Sequence, residues 1–584
     1  MAEKSTTQDG PRPLPRIIAN PKGGNTETAP FLSNAEIADR LASLAQLLSA
    51  QKENPYKVKA YQRAAAKLRN MSESLQELVQ EDADLTQYAG IGDAIASAIR
   101  EIVETGSLRK LETLRSQATP EVASINDYPR LDPKRVKRTY KKFGISSVEE
   151  LRAKLESGEI EQVLGLRMAQ HVRQGLTETH AMLLYRADDL KSAVEEFLLG
   201  ACRVKRAEVV GDLRRRVEII EELAFVVETE DFPGIVARMQ RYGGRTPLVS
   251  SAQDHAVFAL SSGVTLRIQL AGKKDWGRQM VACTGSKAHL KKLTSVTGPF
   301  RCLKTSFPSE EALYKQFDLE YIEPELREGC DEIERAAKNA LPRLVTAKDI
   351  RGDLHAHSRS SDGSDSIEDM AEAAKERGYE YIGISDHSQS LKIAGGVSIE
   401  DLWAQIKYID KLNAHSRGFR ILKSSEVDIL ADGSLDYPDD LLRELDYTMC
   451  SIHSRFALNR EQQTERLLRA MDNRYFNILG HATGRLLLKR PGYEVDFERV
   501  IEKARKQGCF FEINSSPDRL DLSAENARRA AEAGVMVAVN TDSHSTGELP
   551  LIRCGIDQAR RAGLETISIL NCLPWEKLQR LFQR

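Results

Sequence analysis

The sequence lacks any long hydrophobic run, and it lacks an excess of charge of either sign. No stretch approaches the ~20 consecutive apolar residues that a membrane-spanning helix requires, which excludes a transmembrane protein. Lysine and arginine number 84 against 86 acids, so the net charge is -2 and any binding to nucleic acid must come from local patches. The N-terminus also lacks the apolar stretch of a secretory signal, and we therefore expect a cytoplasmic protein.

Cysteine is scarce and scattered along the chain. The eight cysteines stand singly and far apart, which excludes a disulfide framework and a CxxC zinc module. The eleven histidines are distributed differently, because seven of them follow residue 350 and six of those seven stand in short motifs beside acids. The chemistry of the chain is therefore expected in its C-terminal part.

The length and the apolar periodicity predict several domains. At ~100–200 residues per domain, 584 residues correspond to three to five domains. The first residues are rich in Pro, Gly, Thr and Asn, as in a flexible tail, and helical spacing begins at Asn34. We predict a tail over 1–30, helical domains over 31–115 and 116–200, a strand-containing domain over 201–300, a connecting segment over 301–345 and a C-terminal domain over 346–584.

Two features of the helical part are suited to DNA binding. Gly90 and Gly92 form a Gly-x-Gly turn before a helix, where free backbone N–H groups hold a phosphate, as in a helix-hairpin-helix. The run 130–142 carries seven basic residues against one acid, and its Lys134 and Arg135 are candidate phosphate contacts. The plainer alternatives are a tight packing turn and a solvated charged face. Asp132 weakens the DNA-binding interpretation of the run 130–142, because it stands where the Gly-x-Gly of a second hairpin is expected.

The segment 201–300 looks like the palm of a nucleotidyltransferase. Strand-like apolar runs surround the turn Gly211-Asp-Leu-Arg-Arg-Arg216, and Thr284-Gly-Ser-Lys287 follows further on. Arg214, Arg215 and Lys287 are candidate contacts to substrate or DNA. The predicted strands are Ala207–Val210, Leu223–Val227, Val257–Leu260 and Val264–Leu270.

The last domain alternates short strands with helices, which predicts a TIM-like barrel of parallel strands. The acids and histidines stand at the carboxyl ends of these strands, where such barrels build their active sites. The seven predicted strands are Asp353–His357, Tyr381–His387, Ile421–Val427, Tyr447–His453, Asn477–His481, Cys509–Asn514 and Met536–His544.

The spacing of these polar residues points to a metal site. His355 and His357 are two apart on a strand and point the same way, as do Asp542 and His544. Converging imidazoles with a few carboxylates suit Zn²⁺, Mn²⁺ or Fe²⁺. A single histidine of this kind is more often structural, but six at strand ends favour metal. Asp386 is adjacent to His387, so only one of the two can face the barrel axis.

The order of these motifs resembles a bacterial family X DNA polymerase with a C-terminal PHP (polymerase and histidinol phosphatase) domain, over about residues 34–575. The matching segments are Asn54–Tyr61, the hairpin at Gly90–Gly92, the palm, Pro324–Glu328 and Asp349–His357. The resemblance implies a multidomain fold, in which 116–200 is a fingers-like helical domain, 201–300 a palm, 301–345 a thumb-like segment and linker, and 346–584 a metal-dependent phosphoesterase domain. Its parts are an all-α helix-hairpin-helix N-terminal part, an α+β nucleotidyltransferase-like palm and a C-terminal α/β PHP domain, a distorted TIM-like barrel with about seven parallel strands.

The resemblance also implies three divalent metal ions, Mn²⁺ and/or Zn²⁺ with Fe²⁺ as an alternative. It assigns His355, His357, Glu426 and Asp542 to the first, Glu426, His453 and His481 to the second, and Asp362, His387 and His544 to the third. The catalytic residues implied for phosphoester hydrolysis are His355, His357, Glu426, His453 and Asp542. Arg485, Arg519 and Lys392 are candidate contacts to substrate phosphates, with solvated surface charge as the alternative.

The palm departs from the family pattern at its acids. Family members place Asp-x-Asp on one strand and a third Asp on a later strand, and these acids hold two Mg²⁺ ions. The corresponding positions here are Glu222, Ala224 and Arg267, and Asp212 brings an anion to the triphosphate-binding turn. A shifted alignment is the alternative. The local chemistry predicts a degenerate polymerase site, because two Mg²⁺ ions need several oxygen ligands.

The combined expectation is a DNA-repair enzyme whose PHP domain is a metal-dependent 3′-5′ exonuclease or phosphodiesterase, with polymerase activity lost. The expected partner is gapped or damaged duplex DNA with 3′ ends, bound by a monomer without a membrane. The alternatives are an active family X polymerase with an associated 3′-5′ exonuclease, a PHP phosphatase acting on a small phosphate ester, and a scaffold that binds DNA gaps without catalysis.

Overall fold

A computed structural model describes residues 32–51, 53–117, 133–145, 147–165, 168–169, 172, 181–260, 262–303 and 305–583. The predicted tail over 1–30 and the expected second hairpin at 130–132 lie outside these ranges. Within the described part of the chain, no helix is long and apolar enough to cross a membrane.

The N-terminal part is a helical domain with its own core. A capping box between Ser33 and Glu36 begins the first helix, and apolar residues from Leu32 to Leu114 form one buried cluster. Gly90 takes a φ of 88°, and Gly92 caps α4 without a side chain, as the Gly-x-Gly turn requires. The helices are α1 Asn34–Ala50, α2 Pro55–Asn70, α3 Leu75–Gln80, α4 Asp93–Thr105 and α5 Arg109–Gln117.

A second, smaller helical cluster follows, and its apolar residues run from Val136 to Val172. Its helices are α6 Pro133–Phe143, α7 Val148–Glu156 and α8 Glu159–Leu164. The next helix, α9 Leu184–Leu199, packs into the core of the palm instead. The apolar face of α9 is thus buried against the sheet of the segment predicted as the palm.

The palm is a five-stranded mixed sheet in the order β2-β4-β7-β6-β5, with a separate pair β1 and β3. The strand Leu248–Ser251 was not expected from the sequence, because three of its four residues are exposed and give no apolar alternation. The strands are β1 Met182–Leu183, β2 Arg206–Val210, β3 Ile219–Ile220, β4 Glu222–Glu228, β5 Leu248–Ser251, β6 His255–Ala259 and β7 Thr265–Leu270. The accompanying helices are α10 Gly211–Arg214, α11 Phe232–Met239 and α12 Trp276–Thr284.

A thumb-like segment joins the palm to the last domain. Its core includes Val281 and Leu293 as well as residues up to Leu344, so the segment begins before residue 301. Its helices are α13 Lys287–Thr297, α14 Glu310–Gln316 and α15 Glu332–Ala336.

The last domain is built from parallel strands with helices between them, as predicted. The order β10-β9-β8 forms one sheet and β11-β12-β13-β14-β15 the other, and every pairing is parallel. The strands are β8 Gly352–Ala356, β9 Tyr381–Ile384, β10 Arg420–Lys423, β11 Glu426–Asp428, β12 Met449–Ser451, β13 Ile478–Leu479, β14 Phe510–Asn514 and β15 Val537–Asn540. The helices are α16 Ile367–Glu376, α17 Ile399–His415, α18 Asp439–Leu442, α19 Arg460–Ala470, α20 Phe497–Gln507, α21 Ala524–Glu532, α22 Ile552–Arg561 and α23 Trp575–Phe582.

The barrel closes through two seams. The predicted strand 421–427 breaks at Ser424–Ser425, so β10 pairs with β9 while β11 pairs with β12. Single parallel bridges, His387 to Glu426 and Ala356 to Ser543, join the two sheets. The break distorts the barrel and turns Glu426 towards its centre.

The interior of the barrel is apolar at one end and polar at the other. Leu354, Tyr381, Met449 and Phe510 fill the end where the strands begin. The C-terminal helix α23 covers this end, and the ring of its Phe582 stacks on Tyr447 at 5.0 Å. The polar residues at the opposite end form the candidate site.

Candidate metal centre

The carboxyl ends of the barrel strands bring all nine predicted ligands into one cluster. His355 lies within β8, Glu426 begins β11, and the other seven residues lie in the turns that follow strands. Three groups each place one ligand atom per residue within 4.8 Å of one another. These groups are His355, His357 and Asp542; His387, Glu426 and His453; and His357, Asp362, His387 and His544.

The Glu426 carboxylate lies at the middle of the cluster and is almost fully buried. Its Oε1 is 2.8 Å from Nε2 of His481 and 3.3 Å from Nε2 of His453. Its Oε2 is 2.7 Å from Nδ1 of His387 and 3.6 Å from Nε2 of His355. One carboxylate therefore faces imidazoles on both sides, as a ligand shared by two ions would.

Asp362 and Asp542 complete the arrangement on either side of His357. Asp542 Oδ1 is 3.1 Å from Nε2 of His357 and 3.6 Å from Nε2 of His355. Asp362 lies 3.3 Å from Nε2 of His544 and 3.6 Å from Nε2 of His387. The rings of His357 and His544 stack with centroids 4.3 Å apart.

A second layer of acids fixes the orientation of the imidazoles. Glu512 Oε1 lies 2.8 Å from Nδ1 of His355, and its Oε2 accepts a hydrogen bond from the His481 backbone N–H at 2.8 Å. Asp428 lies 3.3 Å from Nδ1 of His453. These contacts leave Nε2 of His355 and His453 facing the centre, which is the outer-layer pattern of histidine metal ligands.

Sequence reasoning missed Glu512 and Asp428. Glu512 lies mid-strand in Phe510–Asn514, where alternation sends Phe511 to the outer core and Glu512 inward. An acid at an inward-facing position of a buried strand is the sequence signal that could have identified Glu512. Asp428 offered a similar signal, two residues after Glu426 on β11.

The electrostatics of the cluster keep the carboxylates charged. Burial alone would raise the pKa of the Glu426 carboxyl, but the surrounding imidazoles, His453 first, hold it well below its usual range. Burial opposes the charged form of His387, yet Glu426 and Asp362 raise the pKa of His387 to about 10. Burial lowers the pKa of His357 to about 4, against a contact with Asp542. The buried anions thus need positive charge at the centre.

Unpartnered ligand atoms test whether metal ions fit these residues. Nε2 of His355, Nδ1 of His357 and Nδ1 of His481 are buried without a hydrogen-bond partner, and Oε2 of Glu426 is buried against imidazole nitrogens, with Nδ1 of His387 at 2.7 Å. Buried polar atoms are nearly always satisfied, so several such atoms converging at one place need a ligand. Imidazole nitrogens and carboxylate oxygens are the donors that Zn²⁺, Mn²⁺ and Fe²⁺ accept, and the residues therefore fit divalent ions.

Asp386 faces away from this centre, as its position beside His387 predicts. Its carboxylate accepts hydrogen bonds from the backbone N–H and hydroxyl of Ser358, the hydroxyl of Ser361 and the amide of Gln405, at 2.7–2.9 Å. Asp386 therefore fixes the loop that leads to Asp362.

The predicted phosphate contacts on the barrel have different surroundings. Arg519 lies at the centre's edge, with its Nε 3.7 Å from Oδ2 of Asp542. Arg485 is instead ion-paired with Glu218 of the palm at 2.6 Å and is mostly buried. The sequence could not show this partner, which is 267 residues away. Lys392 lies in the exposed turn 392–394.

The palm arginines are likewise engaged within the protein. Arg214 pairs with Glu310 at 2.5 Å, and Arg215 pairs with Asp212 and with Glu328 at 2.5 Å and 3.1 Å. The expectation that these guanidiniums face a phosphate therefore conflicts with their partners. Lys287 begins α13. The side chains of the remaining basic candidates, Lys134 and Arg135, lie outside the described residues.

The palm positions at which the resemblance expects acids lie together on two paired strands. Ala224 on β4 is directly opposite Arg267 on β7 in the parallel register. The Arg267 guanidinium pairs with Glu222 at 2.9 Å. The methyl group of Ala224 is buried with Val210, Val226 and apolar residues of α12. The guanidinium of Arg267 therefore neutralises the carboxylate of Glu222.

Comparison with known proteins agrees with this geometry. A helix-hairpin-helix domain family matches residues 32–108, and the PHP domain family matches residues 353–516. The DNA polymerase/3′-5′ exonuclease PolX of Bacillus subtilis (strain 168) is 32% identical over 574 residues, covering 94% of this chain and 99% of that protein. A probable phosphatase of Thermoanaerobacter sp. (strain X514) is 30% identical over 230 residues, covering 38% of this chain and 89% of the phosphatase. A helix-hairpin-helix domain, a PHP domain and a match along nearly the whole length together place the chain in the bacterial PolX family of DNA polymerases with a C-terminal PHP domain.

Proposed function

We propose that this protein is a metal-dependent 3′-5′ exonuclease or phosphodiesterase acting in DNA repair, and that it has lost template-directed polymerisation. The observation that supports the proposal is the contrast between two sites of one chain. The barrel gathers the nine predicted ligands, with unpartnered nitrogen atoms on His355, His357 and His481, whereas the palm carries an alanine and an arginine at two positions where the resemblance expects acids.

The nine ligands divide into three sets. His355, His357, Glu426 and Asp542 would hold one ion, Glu426, His453 and His481 a second, and Asp362, His387 and His544 a third. Mn²⁺ or Zn²⁺ suits these donors, with Fe²⁺ as an alternative. When bound, such ions supply Lewis acidity at the phosphorus.

The chain's own residues bind and orient the substrate. Arg519, at the edge of the ligand cluster, would bind and orient the substrate phosphate through a charge-assisted contact. Glu426 would keep two ions together, while Glu512 and Asp428 hold the imidazole rings at fixed angles. The hairpin at Gly90–Gly92 would grip the DNA backbone away from the 3′ end, without reading sequence. The substrate would be gapped or damaged duplex, and the protein would act as a monomer.

Loss of polymerisation follows from the charge at the palm. Two Mg²⁺ ions need several oxygen ligands in near-octahedral geometry. Arg267 neutralises Glu222 and repels cations, and Ala224 offers no oxygen.

The main alternative is a working polymerase with an associated exonuclease, favoured because the Bacillus subtilis relative is named a DNA polymerase/3′-5′ exonuclease. Full-length protein, incubated with Mn²⁺ and a labelled gapped duplex, should shorten the primer and should not extend it when nucleotides are added. Extension that persists in a variant with an inactivated barrel would refute the loss of polymerisation.

A third function is hydrolysis of a small phosphate ester, because several relatives of the barrel are probable phosphatases. The same preparation should be assayed with a nitrophenyl phosphate. Faster turnover of this ester than of DNA ends, unaffected by removal of residues 32–344, would favour the phosphatase.

A further inference from the structure

We infer that Glu218 of the palm is a positioning residue for the nuclease centre, acting through Arg485 on the loop that carries Arg519. This inference rests on the proposed function, in which Arg519 contacts a substrate phosphate. Glu218 lies just before β3 in the palm and more than 250 residues from the loop it would control.

The contact between Glu218 and Arg485 is bidentate. Nη1 and Nη2 of Arg485 lie 3.1 Å and 2.6 Å from the two carboxylate oxygens of Glu218. Both side chains are about four-fifths buried, with exposed fractions of 18% and 20%. A paired, bidentate and largely desolvated contact fixes the guanidinium in one plane.

The other edge of the same guanidinium holds the loop after β14. Nε of Arg485 donates to the carbonyl of Arg519 at 3.0 Å, and Nη2 donates to the carbonyl of Leu520. Leu520 adopts a φ of 45°, which is unfavourable for a leucine and persists only where the surroundings enforce it. The hydrogen bonds from Arg485 therefore help to hold Leu520 in a backbone conformation that the loop alone does not favour.

An apolar contact between the palm and the barrel surrounds the Glu218–Arg485 ion pair. Leu183 and Ile219 of the palm pack with Leu487, Leu520 and Cys554 of the barrel. From this loop the Arg519 side chain extends to within 3.7 Å of Asp542, one of the nine predicted ligands. A change at Glu218 in the palm would thereby alter the position of the Arg519 guanidinium, which lies beside the candidate metal ligands.

The palm and the barrel also meet at a second place, which serves as a control. Arg216 pairs with Asp188 at 2.6 Å and with Asp557 at 2.7 Å, and Gln558 donates to its carbonyl. Loss of Asp557 loosens the docking of the domains without touching Arg485. Glu221 supplies another control, because it is an exposed glutamate three residues after Glu218.

The test uses full-length protein with saturating Mn²⁺ and a 3′-labelled DNA. Glu218→Gln should raise KM about tenfold, the value of one charge-assisted contact to a phosphate, with kcat and metal content preserved. Arg519→Ala should raise KM similarly, and the double variant should show no further loss, because both changes remove the same contact.

Hydrogen exchange of the segment 515–522 measures the loop without any activity. Exchange should speed up in Glu218→Gln and stay unchanged in Glu221→Gln and Asp557→Asn. Unchanged exchange in Glu218→Gln, additive losses in the double variant, or an equal rise in KM for Asp557→Asn would each overturn the inference. If the wild-type protein cleaves no DNA, the proposed function fails, while the exchange result still decides whether Glu218 holds the loop.

Discussion

Replacement of Glu426 by glutamine should remove two of the three ions at once. Its two carboxylate oxygens lie between His481 and His453 on one side and His387 and His355 on the other, at 2.7–3.6 Å. The amide keeps the shape but loses the charge and one acceptor oxygen. We expect metal content to fall from three ions to one, and the nuclease rate to fall by ~10³-fold or more, since an outer-layer partner alone is worth about 10–100-fold.

Glu512→Gln is the matched control, because Glu512 is equally buried but contacts His355 and His481 from outside the centre. This variant should keep all three ions at saturating metal and lose about 10–100-fold in rate. The assay combines metal analysis by mass spectrometry with single-turnover cleavage of a 3′-labelled oligonucleotide.

Two outcomes would contradict the reasoning. In the first, Glu426→Gln keeps three ions and a near-normal rate. In the second, adding His453→Ala to Glu426→Gln multiplies the loss, whereas ligands that act as one unit give non-additive losses. Either result would mean that Glu426 does not hold two ions together.

Three further predictions concern the rest of the chain. Asp386→Ala should free the loop before Asp362 and weaken the third ion while sparing the two beside Glu426; loss of all three ions would show a direct ligand role. The barrel alone, residues 346–584, should bind metal but cleave long DNA less well than the full chain, because phosphate contacts supply most of the affinity for DNA; equal cleavage over a range of salt would make the front half irrelevant. Burial opposes the charge of Glu310, but Arg327 and Arg214 outweigh it and hold the pKa of Glu310 below its ordinary 4.5, so this carboxylate stabilises the fold above that pH and its contribution is lost as the pH falls through the lowered value. The difference in unfolding temperature between wild type and Glu310→Gln should therefore stay constant above about pH 4.5 and shrink as the pH falls below that value, and a difference that stays constant there as well would contradict this.

The sequence predicted the parallel strands of the last domain and the grouping of its acids and histidines because both follow local rules, whereas the role of these residues as metal ligands stays a prediction. Strand alternation puts His355 on the inward face, and the carboxyl ends of parallel strands converge, so residues such as His453 and His481 meet without knowledge of the fold. The helix-hairpin-helix was also confirmed by the family match over residues 32–108.

The features that sequence reasoning missed depend on long-range packing. A sequence cannot distinguish an arginine that is free to bind a phosphate from one that is ion-paired within the protein, as Arg485 is with Glu218. The helix α9 lies within the range predicted as the fingers-like domain. Its apolar face packs against the palm sheet, and the sequence alone does not show which domain that face contacts. The break at Ser424–Ser425 arises from closing the barrel, which no local pattern records.

The helix α23 covers the end of the barrel where the strands begin, and this has a consequence for synthesis. The amide of Asn477 donates to the carbonyl of Phe582 at 3.0 Å, so the interior is sealed by a helix that follows all the barrel strands in the sequence. Domains fold from the N-terminus as the ribosome proceeds. The helices that would hold DNA are therefore complete while the barrel still lacks its final helix, and a nascent or prematurely terminated chain would carry the DNA-binding half without a finished cleaving centre.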